Sequence, residues 1–565
     1  MTIPSDLDIA LAAGLKPLVD IAGEMGIGGH LLEPYGDSVA KIKLAALDEL
    51  ASRPLAKYVL VSAVTPTPLG EGKTTTLIGL GQAFRHIGRS ATVSIRQPSM
   101  GPTFGIKGGA AGGGYSQVVP MDLLNLHLTG DFHAVTAAHN LLSAMVDNHL
   151  YQGNELGLDP HNISWRRVLD VNDRALREIV VGLGGRQDGV PRQTGFDITA
   201  ASEVMAILAL ASSLGDMRGR LGRIVVGYAR DGQPVTAEQL GGAGAMAAVL
   251  RDALKPNLLQ TLENTPVLVH AGPFGNIAHG NSSVLADLIG IRTGDFLLTE
   301  AGFGADMGAE RFFNIKCRVS GLRPDAAVVV VTVRAMKAQS GRYRLVAGRP
   351  LPAQMLAENP DEVLEGAANL RKQVENIRLH GVPVVVAVNA VPSDHPSEWR
   401  AVAEVARELG VRVAVSQHFT QGGPGARELA EAVAEAADEP SAFRFLYPAE
   451  APLRDKIETI ARRVYGAGRV EYTPAAGRQV DAYQDLGYGA LPVCIAKTHL
   501  SVSSDPHLTG APTGWTLPVR EVRAAVGAGI VTPVCGDIRT MPGLGAHPAA
   551  QRIDVAEDGN VTGLS

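Results

Sequence analysis

Two glycine-rich turns carry the residues best suited to chemistry. The first lies in Val61-Ser-Ala-Val-Thr-Pro-Thr-Pro-Leu-Gly-Glu-Gly-Lys-Thr-Thr-Thr76, an apolar run that enters a turn and then a helix-like stretch over 74–87. A strand–turn–helix unit of this kind points backbone N–H groups and the positive end of a helix at an anion. Lys73 would reach the outer phosphates of a nucleotide, and the Thr74 hydroxyl would ligate Mg2+. The usual phosphate-loop pattern opens on a glycine, but here Thr67 stands in that place. A solvated turn with an accidental Gly-Lys-Thr is the competing reading, and the flanking strand and helix argue against it. Gly79 and Gly81 fall inside the helix and read as close helix–strand packing.

The second turn follows the next apolar run, 91–95. It leaves through Arg96 and Gln97 into residues 101–114, seven of which are glycine. Glycine lets backbone approach a ligand closely. A flexible linker would be polar and serine-rich, whereas this stretch holds Phe104, Ile106 and Lys107. It reads as an ordered anion-binding loop. Arg96 sits at the carboxyl end of a strand, where open α/β sheets bind ligands. Its guanidinium could hold a carboxylate or an acyl phosphate with two parallel hydrogen bonds.

Weaker signals lie elsewhere. His127, His133 and His139 are six apart, a spacing that shares no helix face, so structural roles outweigh metal ligation. Phe303, between glycines in residues 300–311, is either core or a stacking platform. Arg334 and Lys337 leave one further strand end, and Asn389 to Pro392 leave another. Convergence of at least four polar or glycine-rich strand exits is more specific than any one of them.

The elements that must position these residues are legible as short, valine-rich runs without alternation: 58–64, 91–95, 223–227, 267–271, 326–333, 383–389 and 411–416. Strands buried on both faces read this way, so a parallel sheet covered by helices is expected. A strand over 295–298 precedes Phe303. Helices are expected over 356–379 and 398–409, an exposed loop over 340–352, and a linker over 447–452 before a C-terminal region with weak helix signals. Strand–helix alternation places the chain in the α/β class.

The totals exclude other classes. Sixty-five glycines and 34 prolines show no Gly-X-Y period, which rules out a collagen. A formal charge of −6 gives no footprint for nucleic-acid binding. The apolar runs over 204–214 and 326–333 are far short of the ~20 residues that span a bilayer. Three separated cysteines form no disulfide framework, and the acidic N-terminus lacks the basic and apolar regions of a signal peptide. A cytoplasmic location is expected, with no nucleic-acid or membrane partner.

The two glycine motifs, Thr65 to Thr76 and Arg96 to Tyr115, resemble those of formate–tetrahydrofolate ligases, also called formyltetrahydrofolate synthetases. The similarity continues through Val118 to Asp122, Asn125 to Asn140, Gly195 to Ile198, Lys255 to Leu258, Gln260 to Pro266, Gly272 to His279, Glu300 to Glu310, Leu486 to Gly489 and Met541 to Gly545. It covers essentially the whole chain and suggests the monofunctional, bacterial type. The phosphate loops of that family carry threonine at the position of Thr67.

The resemblance implies ATP-dependent formylation of tetrahydrofolate at N10 through formyl phosphate, with Mg2+, activation by potassium or ammonium, and a homotetramer. ATP would lie on Thr67, Pro68, Leu69, Gly70, Glu71, Gly72, Lys73, Thr74 and Thr75, with Lys73 and Arg96 catalytic. Arg96, Gln97, Gly105, Lys107, Gly108 and Gly109 would wrap formyl phosphate, and Phe303, Pro392 and Phe419 would hold the folate. Several positions depart from the family: Gln97 for a usual Glu, Val391 for a usual Phe, and Phe419 for a usual Trp, after an apparent insertion near Gln417 and His418; Gln339, Ser340 and the basic loop after them depart as well. The implied fold is a phosphate-loop nucleotide domain with a mostly parallel sheet, plus two smaller α/β domains. The expected division is 1–145 and 369–465 for the nucleotide domain, 146–368 for a second domain and 466–565 for a C-terminal one. Two other readings stay open: a different ATP-dependent carboxylate-activating C–N ligase on the same scaffold, and a nucleotide-dependent switch without catalysis.

Overall fold

The computed structural model describes residues 4–68, 70–107, 109–343, 345 and 350–564, and of Lys107 it describes the backbone alone. Leu69, Gly108 and the Lys107 side chain, all expected in the site, therefore lie outside the described residues, as does part of the loop expected over 340–352.

One large sheet organises the chain. Seven of its strands run parallel: β1 (Lys57–Ala63), β2 (Ala91–Ile95), β3 (Pro266–Val269), β4 (Phe296–Glu300), β5 (Ala326–Val331), β6 (Val384–Asn389) and β7 (Arg412–Ser416), in the order β3-β2-β4-β1-β5-β6-β7. Beyond β3 the sheet turns antiparallel through Asn257–Thr261, Ala40–Ile42 and Leu32–Pro34. Val61 pairs with Val328 on one side and Glu300 on the other. All seven parallel strands thus deliver their carboxyl ends to one edge.

The valine runs follow from double-sided burial. Val59, Val61 and Ala63 of β1 pack with Leu77 and Phe84 of helix Lys73–His86 and with Leu429 and Val433 of helix Arg427–Asp438. Tyr58 and Leu60 face the other way, against Phe312, Leu370, Val374 and Val402. A strand with no wet face has no reason to alternate. Each large aliphatic side chain so buried contributes about 1.5–3 kcal/mol. Gly81 meets β2 as expected: a Cβ there would come within 2.5 Å of Val93.

Six of the seven expected runs enter this sheet. The seventh becomes Val225–Ala229, which pairs antiparallel with Pro234–Thr236 and Leu158–Ile163 in a separate three-stranded sheet. Helices cover it, so its burial mimics that of a central parallel strand. The strand expected over 295–298 is β4, in the middle of the sheet. The expected division of the chain does not follow the sheet either, since residues 257–331 supply β3, β4 and β5. Helices Asp131–Tyr151, Glu203–Leu210, Leu214–Gly222 and Ala243–Leu250 gather around a core of their own.

Two local expectations change. The helix over 356–379 is broken into Pro360–Glu365, capped by Asn359, and Ala367–Arg378. Gly366 lies at the break, where a Cβ would strike the Met336 carbonyl. The linker over 447–452 is also packed. Tyr447 is buried in a C-terminal core with Leu453 and Ile457 of helix Leu453–Arg463, and its hydroxyl accepts a hydrogen bond from Val493 N–H at 3.1 Å. Among the described residues no helix is long and apolar enough to cross a membrane.

Candidate active site

The phosphate loop is braced from inside. Glu71 is buried, and its carboxylate accepts from Thr67 N–H at 2.8 Å and from the Thr332 hydroxyl at 2.9 Å. The side chain thus closes the loop and ties it to the end of β5. Thr65, at the base, is held by Asn369 at 2.8 Å and Gln373 at 3.0 Å. Gly72 has φ +69°, and a Cβ there would collide with the Asn389 amide, which donates to Glu71 O at 3.0 Å. Asn389, at the end of β6, thus holds the loop. Helix Lys73–His86 starts directly on Gly72. Lys73, Thr74 and Thr75 therefore occupy its first turn, where N–H groups lack intrahelical partners. Pro68 and Gly70 are exposed at the rim.

Glu300 links the two expected anion sites. It ends β4, between the Arg96 exit of β2 and the phosphate-loop exit of β1. One carboxylate oxygen accepts from the Thr74 hydroxyl at 2.7 Å, and the other lies 3.8 Å from the Arg96 guanidinium. Arg96 spends one N–H on Pro273 O at 3.3 Å, while its buried Nε has no protein partner. An arginine has five N–H donors, so capacity for an anion remains. Gln97 is buried, fixed by its own N–H to Ala271 O at 2.8 Å, with its side-chain oxygen unpartnered.

The glycine loop is ordered by neighbours on both sides. Asp170 accepts from the Ser99 hydroxyl at 2.6 Å and from Met100 N–H at 2.9 Å, and burial pushes its carboxyl up to about 6. Gly105 packs so near Asn172 that a Cβ would lie 2.8 Å from its amide nitrogen. Ala110 N–H, just past Gly109, donates to Asn125 at 2.6 Å. At the far end Gly114, at φ +55°, has no room for a Cβ because the Phe419 carbonyl lies against it, and Tyr115 N–H donates to that carbonyl at 2.9 Å. The loop therefore leans on the segment that carries Phe419.

That segment is anchored by a histidine. His418 is buried, with Nδ1 at 2.8 Å from the Ser416 hydroxyl and Nε2 at 3.3 Å from the Thr76 hydroxyl, which itself donates to Gly72 O. Burial holds its pKa down at about 4, so the ring is neutral. The apparent insertion near Gln417 and His418 thus locks the Phe419 segment to the helix behind the phosphate loop.

The three expected folate residues leave different strands. Phe303 follows β4, whereas Pro392 and Phe419 follow β6 and β7, with β1 and β5 between. Among the described residues, Phe303 stacks on His499, at 4.5 Å between centroids, and not on Phe419. His127 and His133 stay 6.3 Å apart, and His139 is buried, stacked on Trp165 and bonded to Ser202. No cluster of metal-ligating side chains occurs among the described residues.

A buried polar knot supports the site from below. Asp287 accepts from Tyr58, from Ser94 at 2.8 Å and from Lys316 at 2.5 Å. Ser282 joins Lys316, at 3.0 Å, to Thr299 of β4, also at 3.0 Å. Removing one partner from such a buried pair costs about 3–5 kcal/mol. Sequence reasoning assigned no role to Glu300, His418, Asp170 or His499. Apart from Ser416 beside His418, the partners named for them are distant along the chain, and no local spacing announces them.

The family model described as formate--tetrahydrofolate ligase matches residues 4–565. A formate--tetrahydrofolate ligase of Saccharopolyspora erythraea is 73% identical over 565 residues, spanning the whole of both chains. Formate--tetrahydrofolate ligase 2 of Rubrobacter xylanophilus is 68% identical over 99% of each chain. A formate--tetrahydrofolate ligase of Cutibacterium acnes is 62% identical, covering 99% of this chain and all of its own.

Proposed function

The chain belongs to the formate--tetrahydrofolate ligase family, and we propose that it joins formate to tetrahydrofolate at the expense of ATP, using Lys73, Thr74, Glu300 and Arg96 at three adjacent strand exits. The observation that carries the assignment of residues is Glu300, hydrogen-bonded to Thr74 on one side and facing Arg96 on the other.

Formate is a poor electrophile because its carboxylate is resonance-stabilised. A formate oxygen attacks the γ-phosphorus of ATP, the bond to the β-phosphate oxygen breaks, and ADP leaves formyl phosphate behind. N10 of tetrahydrofolate then attacks the formyl carbon. The C–O bond breaks with its electrons on phosphate, and N10 loses its proton. The protein contributes positioning and charge neutralisation. Lys73 and the N–H groups of the first helical turn, Lys73 to Thr75, hold the phosphates. Arg96 holds formate and then formyl phosphate, and Gln97, Gly105, Lys107, Gly108 and Gly109 exclude water that would hydrolyse it. Phe303 supports the pterin, with Pro392 and Phe419 on the other side of the phosphate loop.

The hydroxyl of Thr74 beside the carboxylate of Glu300 is a hard-oxygen pair suited to Mg2+. When bound there, Mg2+ neutralises charge on the outer phosphates. Activation by potassium or ammonium, a homotetramer and a cytoplasmic location complete the proposal. The test is ADP release with formate, with and without tetrahydrofolate, in potassium against a larger inert cation. Release that needs a different acid and ignores folate would favour another carboxylate-activating ligase instead.

A further inference from the structure

Phe303 has φ +63°, in a region that a bulky residue rarely adopts. Backbone strain of this kind persists where the surroundings hold it, and it clusters at ligand clamps. The ring is only partly buried by its own loop. Gly275 lies so close that a Cβ there would come within 2.8 Å of Phe303 Cε2. The imidazole of His499 stacks on the ring, 4.5 Å away between centroids and inclined by 21°. That is the near-parallel arrangement a flat heteroaromatic ligand takes. Carbon atoms in contact sit about 3.5–4.0 Å apart, so no third ring fits between the two.

The chain on either side of His499 is fixed. Lys497 is fully buried, pairs with Asp306 at 2.9 Å and donates to Ser501 O at 2.6 Å. Ser501 in turn donates to Leu508 O at 2.6 Å. Asp306 follows Phe303 by three residues, so one ion pair sets both the platform and the segment that covers it. His499 itself is partly exposed.

We infer that His499 is a removable cap on Phe303, occupying the stacking face that the pterin ring of tetrahydrofolate takes during turnover. This rests on the reading of Phe303 as the pterin platform. The cap shields an apolar face while folate is absent, and folate binding must displace it.

The experiment is an anaerobic equilibrium titration with tetrahydrofolate of the full-length protein and its His499→Ala, His499→Gln and Phe303→Ala variants, with the ATP affinity of each measured alongside. Loss of a ring stack that the ligand must displace predicts folate binding about twofold to tenfold tighter in both His499 variants. Their ATP affinity stays unchanged. His499→Gln carries the same expectation should the alanine variant not fold. Unchanged or weaker folate binding in the folded His499 variants overturns the cap, and weaker binding makes His499 a fixed wall of the pocket. Phe303→Ala is expected to weaken folate binding severely. Unchanged folate binding in that variant sinks the platform reading itself, whatever the His499 variants do.

Discussion

Thr74 and Glu300 are 226 positions apart, yet the Thr74 hydroxyl donates to the Glu300 carboxylate at 2.7 Å. The contact exists because β1 and β4 are neighbours and parallel, with Val61 level with Glu300. It places a carboxylate between the phosphate loop and Arg96. Loss of one hydrogen bond to a charged partner costs about 1.5–3 kcal/mol. Glu300→Ala should therefore lower kcat for ADP release by about tenfold to a hundredfold, and it should raise the Mg2+ concentration needed for half-maximal rate. Initial rates against Mg2+ check both. An unaltered Mg2+ dependence would remove Glu300 from the metal's surroundings.

Arg96 leaves β2, and Glu300 of β4 stands between it and the phosphate loop that leaves β1. Arg96→Ala should depress formyl transfer strongly while leaving ATP affinity within about threefold, less than the 1.4 kcal/mol that a tenfold change represents. Nucleotide titration beside steady-state kinetics separates the two. Equal loss of both would make Arg96 a structural residue.

Gly72 tests the loop's backbone. Its φ of +69° and its contact with Asn389 leave no place for a methyl group. A left-handed L-residue costs about 1–2 kcal/mol. Gly72→Ala should raise KM for ATP about tenfold or more, with little change in KM for tetrahydrofolate. A normal KM for ATP would contradict the loop geometry.

Stability should fall on acidification below pH 6.5. Burial lowers the pKa of His139 to about 3 and those of His270, His380 and His418 to about 4, and it holds His279 well below the usual 6.5. The folded protein keeps these rings neutral, while the unfolded chain protonates them near pH 6.5. Their contribution is thus present above pH 6.5 and lost as pH falls toward 4. Glu203 and Glu310, raised to about 7, and Asp170, raised to about 6, act in the opposite sense as pH rises from about 4.5 to 7. Asp325 and Asp394 are raised as well, but Glu24, Asp216, Glu238, Asp252 and Glu398 are lowered and act with the five imidazoles, so acid is the net destabiliser. Melting temperature from pH 7 to pH 4.5 measures this, and a flat profile would count against the buried histidines.

The features legible in the sequence were those governed by neighbours along the chain. The phosphate loop, the Arg96 exit and six parallel strands follow from local pattern, because a doubly buried strand and a helix-opening turn write themselves into consecutive residues. The Val225–Ala229 strand shows the limit: burial on both faces looks the same whether the cover comes from a parallel layer or from a separate antiparallel sheet. The break at Gly366 and the burial of Tyr447 depend on distant partners, Met336 and Val493. Glu300, His418 and His499 share that reason. Each becomes interpretable only when strand order brings Thr74, Thr76 or Phe303 beside it.

The most direct measurement concerns Lys73. Placed in the first turn of helix Lys73–His86, above a loop held by Glu71 and Asn389, it is the cation assigned to the transferred phosphoryl group. ADP release dependent on both formate and tetrahydrofolate should be robust in the native protein. It should be abolished in Lys73→Ala, with a melting temperature close to native. A folded Lys73→Ala protein that turns over at the native rate would contradict the account.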